Sequence, residues 1–141
     1  MKTICVSGGM DPITSGHVDM IEHAATFGNV IVILNSDNWL IRKKGYCFMP
    51  YEQRKRILAS IKGVWCVEPV DDSDGSVREA LRRIKPDCFA NGGDRTEDNT
   101  LEVDTCRELD IKMIFNVGGD KSASSSELVK NAAKKLAYEQ R

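Results

Sequence analysis

The chain has 141 residues and sets 20 Lys and Arg against 21 Asp and Glu, a formal net charge of −1; this is enough for one domain with a real core, and no global field marks it for nucleic acid or anionic membrane. Its five cysteines, Cys5, Cys47, Cys66, Cys88 and Cys106, are odd in number and widely spaced, with no Cys-x-x-Cys pair and two histidines to join them, so they read as reduced structural thiols rather than a disulfide framework, a zinc site or a nucleophile. The N-terminus reaches Gly8 too soon to supply the hydrophobic region of a signal peptide, and no apolar run approaches a membrane span, so a cytoplasmic protein is expected.

Lys2 to Val6 is a short β-favouring run that ends at Gly8 and reads as the first strand. The stretch from Ser7 to His17 then interrupts the pattern. Gly8-Gly9 lets the backbone approach a ligand closely, Pro12 stiffens the turn, and Thr14 or Ser15 can cap a helix whose unpaired amides point at an anion. His17 falls in that first helical turn. Val18, Ile21, Ala24 and Ala25 line one apolar helical face, and Gly28-Asn29 ends it. Val30 to Leu34 is a continuous apolar run, as expected of a strand buried on both faces, and completes a βαβ unit.

From Asn35 to Met49 neither period is sustained. Polar residues, Trp39, the basic cluster Arg42-Lys43-Lys44 and Gly45 predict a mobile loop. Pro50 then starts a helix with an apolar stripe of Ile57, Leu58 and Ile61, and with Arg54, Lys55 and Arg56 in its middle. Val64 to Val67 is a third strand. An acidic turn, Asp71 to Gly75, follows, with Ser73 or Asp74 expected to cap the helix that carries Val77, Ala80, Leu81 and Ile84. Pro86-Asp87 ends that helix, Cys88 to Ala90 is strand four, and Asn91-Gly92-Gly93-Asp94 is a second glycine turn at its carboxyl end. A helix from about 98 to 109, a strand from Ile111 to Phe115, the Gly118-Gly119 turn and a helix from about 124 to 137 complete the alternation. The pattern predicts a single α/β domain over residues 1–141, a Rossmann-like open parallel sheet of about five strands with helices on both faces.

Ligands of such sheets bind beyond the carboxyl ends of the strands, where strand order reverses. Both glycine turns lie at that end. If strands one and four are neighbours, the turns face one crevice that holds Asp11, Thr14, His17 and Asp94. Taken alone, the Gly8-Gly9 turn would be an ordinary strand-to-helix connection; a second such turn and a histidine beside a helix cap favour a phosphate site. His23, with no glycine turn beside it, receives no role. Other chemistries fail on context: there is no Gly-x-Ser-x-Gly elbow, no Walker loop and no Gly-x-Gly-x-x-Gly. The basic clusters at Arg42 to Lys44 and Arg54 to Arg56 follow strand two, from which their side chains could reach the crevice.

The run Gly8-Gly9-Met10-Asp11-Pro12-Ile13-Thr14-Ser15-Gly16-His17 resembles the nucleotide-binding signature of the cytidylyltransferase-like nucleotidyltransferase superfamily, Gly-x-Phe-Asp-x-x-His-x-Gly-His. Lys43-Lys44 match its mobile-loop lysines, Glu52-Gln53-Arg54 its Glu-x-Arg helix, and Ser124-Ser125-Ser126 its Ser/Thr-rich motif before a final helix. Two positions depart from the signature: Met10 replaces phenylalanine and Thr14 replaces the first histidine. Threonine there, and the run to Lys130, are similar to phosphopantetheine adenylyltransferases. Lys85-Pro86-Asp87 leading to Gly92-Gly93-Asp94, with Pro50 to Arg54, is similar to heptose-phosphate adenylyltransferases and glycerol-3-phosphate cytidylyltransferases.

The resemblance implies transfer of a nucleoside monophosphate from ATP or CTP to a sugar- or polyol-phosphate, with release of pyrophosphate. A phosphopantetheine adenylyltransferase and a nucleotide-binding module without catalysis are the alternatives. It assigns catalysis to His17, Thr14 and Lys44. Nucleotide contacts fall to Gly8, Gly9, Gly16, His17, Asp94, Ser124, Ser125 and Ser126, and acceptor contacts to Asp11, Lys43 and Arg54. It also implies Mg²⁺ held mainly by the triphosphate, with no protein metal ligand. Its expected partners are these small molecules, with no nucleic acid and no membrane; a homodimer rests on the resemblance alone.

Overall fold

The structure is a computed structural model and describes residues 2–93, 95–119 and 125–139. The β-branched runs form strands β1 (Thr3–Gly8), β2 (Asn29–Leu34) and β3 (Val64–Glu68), with shorter strands β4 (Cys88–Ala90) and β5 (Lys112–Ile114). All pair in parallel, in the order β3-β2-β1-β4-β5. The chain thus builds outward from β1 to β3, then crosses back to place β4 on the other side of β1. Ile4 lies opposite Cys88 and Cys5 opposite Phe89, so the two glycine turns are neighbours at the point of reversal, as the pattern predicts.

The period of two along each strand divides the core. Ile4, Val6, Val30, Val32 and Leu34 face α1 (Ser15–Ala24) and α3 (Tyr51–Ala59), where Ile21, Ala24 and Leu58 meet them. Cys5, Ile31, Ile33 and Phe89 face the opposite layer, packed on Ala80 and Leu81 of α4 (Arg78–Ile84) and Cys106 of α5 (Val103–Glu108). Both faces are therefore apolar, which is why β2 shows no alternation in sequence. All five cysteines are free thiols, and burial pushes the Cys106 thiol up to about 11.

The structure corrects three expected elements. The stretch read as a mobile loop contains α2 (Asp37–Lys44). Its apolar period is absent because only Leu40 is buried; its ends hold it instead. Ser36 Oγ accepts from the Trp39 amide at 3.1 Å and donates to Asp72 Oδ1 at 2.8 Å, and Gly45 closes the helix in the left-handed region at φ 87°. Second, α4 starts at Arg78 rather than after Ser73 or Asp74, whose groups are spent locally. Asp71 accepts from the amide and hydroxyl of Ser73, and Asp74 from those of Ser76. Third, the helix expected at 98–109 is split into a 3-10 turn (Glu97–Asn99) and α5. Between them Thr100 is extended, and its hydroxyl donates to the Thr96 carbonyl at 2.6 Å. The final helix, α6 (Ser125–Glu139), lies where it was expected.

Candidate active site

Beyond the carboxyl ends of β1 and β4 lies a cleft of about 630 Å³. From the sequence-predicted set it gathers Gly8, Gly9, Asp11, Thr14, Gly16, His17, Lys43, Lys44, Ser125 and Ser126. Asp94 and Ser124 lie outside the described residues. Arg54 does not line the cleft.

The turn after β1 forms one wall. Thr14 is the N-cap of α1, and its backbone N–H donates to Nδ1 of His17 at 3.0 Å, with the Thr14 hydroxyl 3.3 Å from the same nitrogen. His17 therefore reaches back to the cap from the position where a capping box carries Glu or Gln. A nitrogen that accepts cannot carry the proton, so the neutral ring keeps its proton on Nε2. Helix chemistry thus gives His17 a local reason to be there, which the sequence reading did not foresee, and the same contact fixes which ring nitrogen can donate. At Gly9 an added Cβ would come within 2.5 Å of Leu40 Cδ2 and 3.1 Å of Trp39, so this glycine admits α2 against the turn. Across the cleft, a Cβ at Gly93 would lie 2.5 Å from the Gly119 carbonyl oxygen, which sets the β4 and β5 turns back to back.

Arg54, expected to touch an acceptor, is buried scaffold, and Asp11, expected to do the same, is buried and hydrogen-bonded within the protein while it borders the cleft. The Asp11 carboxylate is 1% exposed and accepts the Phe48 amide at 2.6 Å and the Met49 amide at 2.5 Å. Arg54 has no exposed surface. Its Nε donates to the Met49 carbonyl at 2.8 Å, Nη1 to the carbonyls of Gly9 and Asn35 at 2.8 Å each, and Nη2 to Asp37 Oδ1 at 2.6 Å. One guanidinium thereby ties the β1 turn, the end of β2, the start of α2 and the loop before α3. A buried fork of this kind needs all its partners, and here it has them.

Lys44, on the last turn of α2, is seated on the β1 turn. Its Nζ donates to the Asp11 carbonyl at 2.8 Å and sits 3.9 Å from Asp11 Oδ2 and 5.2 Å from the Tyr46 ring centre. Lys43 lies 4.6 Å over the Trp39 ring. From the far side, α6 presents Ser126 and Lys130, while the Ser125 hydroxyl donates to the Pro12 carbonyl at 2.6 Å and joins the final helix to the β1 turn. His23, given no role from sequence, accepts the Gly118 amide at 2.7 Å on Nδ1 and positions the turn after β5.

Among the lining residues that sequence reasoning did not assign to the site are Tyr46, Arg95, Glu102 and Lys130. Lys130 left a trace, at the end of the run that begins with the serines. Among the described residues of the cleft Lys43, Lys44, Arg95 and Lys130 outnumber the carboxylates of Asp11 and Glu102. A chain of net charge −1 thus concentrates cations where the helix cap and glycine turns already favour an anion. Among the described residues, no group of three or more His, Cys, Asp and Glu is placed to hold a metal ion, and no helix is long and apolar enough to cross a membrane.

A parallel sheet with a reversal at β1/β4, carrying a glycine turn, a capped helix with histidine in its first turn and a cationic cleft, defines a nucleotide-binding α/β protein. The chain matches the Cytidylyltransferase-like family over residues 5–132 and belongs to it. It is a nucleotidyltransferase-family protein. It is 30% identical over 133 residues to the bifunctional protein HldE of Sulfurimonas denitrificans, covering 92% of this chain and 27% of that protein; it thus spans about a quarter of that relative's length. It is 29% identical to the FAD synthase of Ferroglobus placidus, over 79% of this chain and 72% of the relative. It is 30% identical to the glycerol-3-phosphate cytidylyltransferase of Staphylococcus aureus, over 79% of this chain and 85% of the relative. In fold it is similar to a lipopolysaccharide core biosynthesis protein of Thermoplasma volcanium, with a TM-score of 0.70 at 17% identity, over 87% of this chain and 99% of that one.

Proposed function

We propose that this chain transfers a nucleoside monophosphate from ATP or CTP to a sugar- or polyol-phosphate and releases pyrophosphate. The observation that carries this reading is the convergence of His17, Lys44 and the start of α6 on one cationic cleft. An oxygen of the acceptor phosphate attacks the α-phosphorus in line, the bond from that phosphorus to the bridging oxygen breaks, and pyrophosphate leaves with the electron pair. A phosphate monoester is already anionic at neutral pH, so the attack needs no general base; positioning and charge stabilisation remain for the protein.

His17 donates from Nε2 to the phosphates and Lys44 stabilises charge beside the β1 turn. Thr14 acts through His17, since its amide sets the ring. Gly8, Gly9, Gly16, Ser125 and Ser126 border the nucleotide, with Lys130 over its phosphates. Lys43 faces the acceptor; Asp11 and Arg54 position the wall that both substrates touch. Bound Mg²⁺ would be held by triphosphate oxygens and water, which suit a cation that dehydrates reluctantly, and would lower repulsion between the phosphates.

The test is to incubate the protein with ATP or CTP, Mg²⁺ and a panel of glycerol 3-phosphate, sugar phosphates, flavin mononucleotide and phosphopantetheine while pyrophosphate is followed. Pyrophosphate that depends on a sugar or polyol phosphate is expected. Saturable nucleotide binding with no pyrophosphate from any acceptor would identify a binding module and overturn transfer.

A further inference from the structure

The turn after β5 reaches the cleft on a backbone that needs support. Asn116, Gly118 and Gly119 lie in the left-handed region, at φ 59°, 86° and 72°, where residues other than glycine seldom sit. Val117, Gly118 and Gly119 border the cleft, and all three of their amides are bonded. Val117 N–H donates to the Asn91 carbonyl at 2.9 Å and Gly119 N–H to the Asn116 carbonyl at 3.2 Å. Those two bonds close the turn on itself and on the turn after β4. The third, from Gly118 N–H to Nδ1 of His23 at 2.7 Å, is the hydrogen bond that joins the turn to α1 among the described residues. Contact is close there, since a Cβ at Gly118 would lie 3.0 Å from Met20 Cα.

The turn therefore leans on α1, and the chain runs on from it to Ser125 and Ser126, which border the same cleft. The transfer reading gives the starts of α1 and α6 to the nucleotide, so this turn stands on the nucleotide's side. His23 itself is absent from the cleft lining.

The bond dictates the state of the ring. A nitrogen that accepts carries no proton, so His23 is neutral here and keeps its proton on Nε2. Its place in the last turn of α1 would also suit a cation beside the helix carbonyls, but imidazolium has no acceptor, and the two roles exclude each other. The ring meets the Gly118 amide and the Phe27 ring, 5.7 Å away between centres. Asp19 and Glu22 precede it on α1, and neither forms an ion pair with it. Residues 115–119, which face it, carry no charge. We propose that His23 is a positioning residue for the nucleotide: its neutral ring, by accepting the Gly118 amide, holds the turn after β5 in the shape that binds nucleotide, and a proton taken up on Nδ1 releases that turn. This rests on the reading of a nucleotide in the cleft and deepens it, because it ties nucleotide affinity to a side chain that touches no substrate.

The test compares wild type with His23→Asn and His23→Ala. Asparagine carries an oxygen acceptor as many bonds from the backbone as Nδ1 and does not titrate. Binding of ATP and of CTP, each with Mg²⁺, is measured by calorimetry at about pH 8 and about pH 5.5, near the two ends of the imidazole range. At the higher pH, His23→Asn should bind within about twofold of wild type, and His23→Ala about three- to tenfold more weakly, as the loss of one hydrogen bond implies. At the lower pH, wild type should weaken relative to His23→Asn by a similar factor. The chain's other histidine, His17, and the nucleotide's phosphates titrate in both proteins, so the ratio cancels them. This comparison holds even where the alanine variant fails to fold. A ratio of wild type to His23→Asn that is the same at both pH values, or alanine binding equal to wild type at the higher pH, overturns the role of His23 and leaves transfer standing. Wild type that binds neither nucleotide overturns the nucleotide reading, and the inference with it.

Discussion

The buried polar groups around the cleft fall into two kinds. On the β1 side, the Asp11 carboxylate takes two amides, Arg54 serves three carbonyls and a carboxylate, and Asp72 accepts from Asn35 and from both the amide and hydroxyl of Ser36. Three other buried atoms, Glu102 Oε2, Tyr46 Oη beside Lys44 and Tyr51 Oη beside Arg54, have no hydrogen-bond partner among the described residues. A saturated network rigidifies what it joins, whereas an unsaturated group does not. The first kind is a frame and the second is not.

Breaking the frame should cost stability most. Arg54→Met removes the buried donors of Gly9, Asn35 and Met49, and urea unfolding should show a loss of roughly 3–5 kcal/mol; a loss below about 1 kcal/mol would mean that the carbonyls find other donors. Next comes the histidine that belongs to frame and chemistry together. His17→Gln retains a side chain able to cap Thr14, so the midpoint of unfolding should hardly move, while transfer falls by about 10²-fold or more. An unchanged rate removes His17 from catalysis.

Asp11→Asn places an amide group against either Phe48 or Met49, and a loss of about 1–3 kcal/mol is expected, with faster hydrogen exchange at those two amides. Unchanged exchange would show that the loop is held by other contacts. The smallest effect concerns Glu102. Burial raises the Glu102 pKa, with Arg95 and Arg78 lowering it and Asp74 raising it. The folded state therefore holds this proton more tightly than the unfolded state, so wild-type stability declines as pH rises through and above the ordinary glutamate range. Glu102→Gln should match wild type in melting temperature at pH 4 and exceed it at pH 7.5. A melting temperature that drops at pH 7.5 would make Glu102 part of the frame and erase its contrast with the saturated groups.

How far the chain could be read follows from where its signals are local. The apolar runs of β1 and β2, the stripe of α3 and the glycine turns are patterns within a few residues, and they disclosed the alternation and hence the sheet. Helix α2 was hidden because its one buried apolar residue, Leu40, makes no period. Its caps, Ser36 and Gly45, were visible but outweighed by the polar composition between them. His23 and Glu102 carry no motif: the first acts on Gly118, 95 residues away, and the second matters for what it leaves unbonded.

The sequence by itself determined a parallel α/β sheet, the glycine turn from Gly8 to His17 and the lysines near it, because hydrophobic period, glycine and helix capping act between neighbours in the chain. Tertiary structure alone decided that Asp11 and Arg54 are buried in the frame, that Lys44 rests on the turn, and which polar atoms are left unpaired. Burial and hydrogen-bond satisfaction depend on which distant segments meet, and spacing along a chain does not record that.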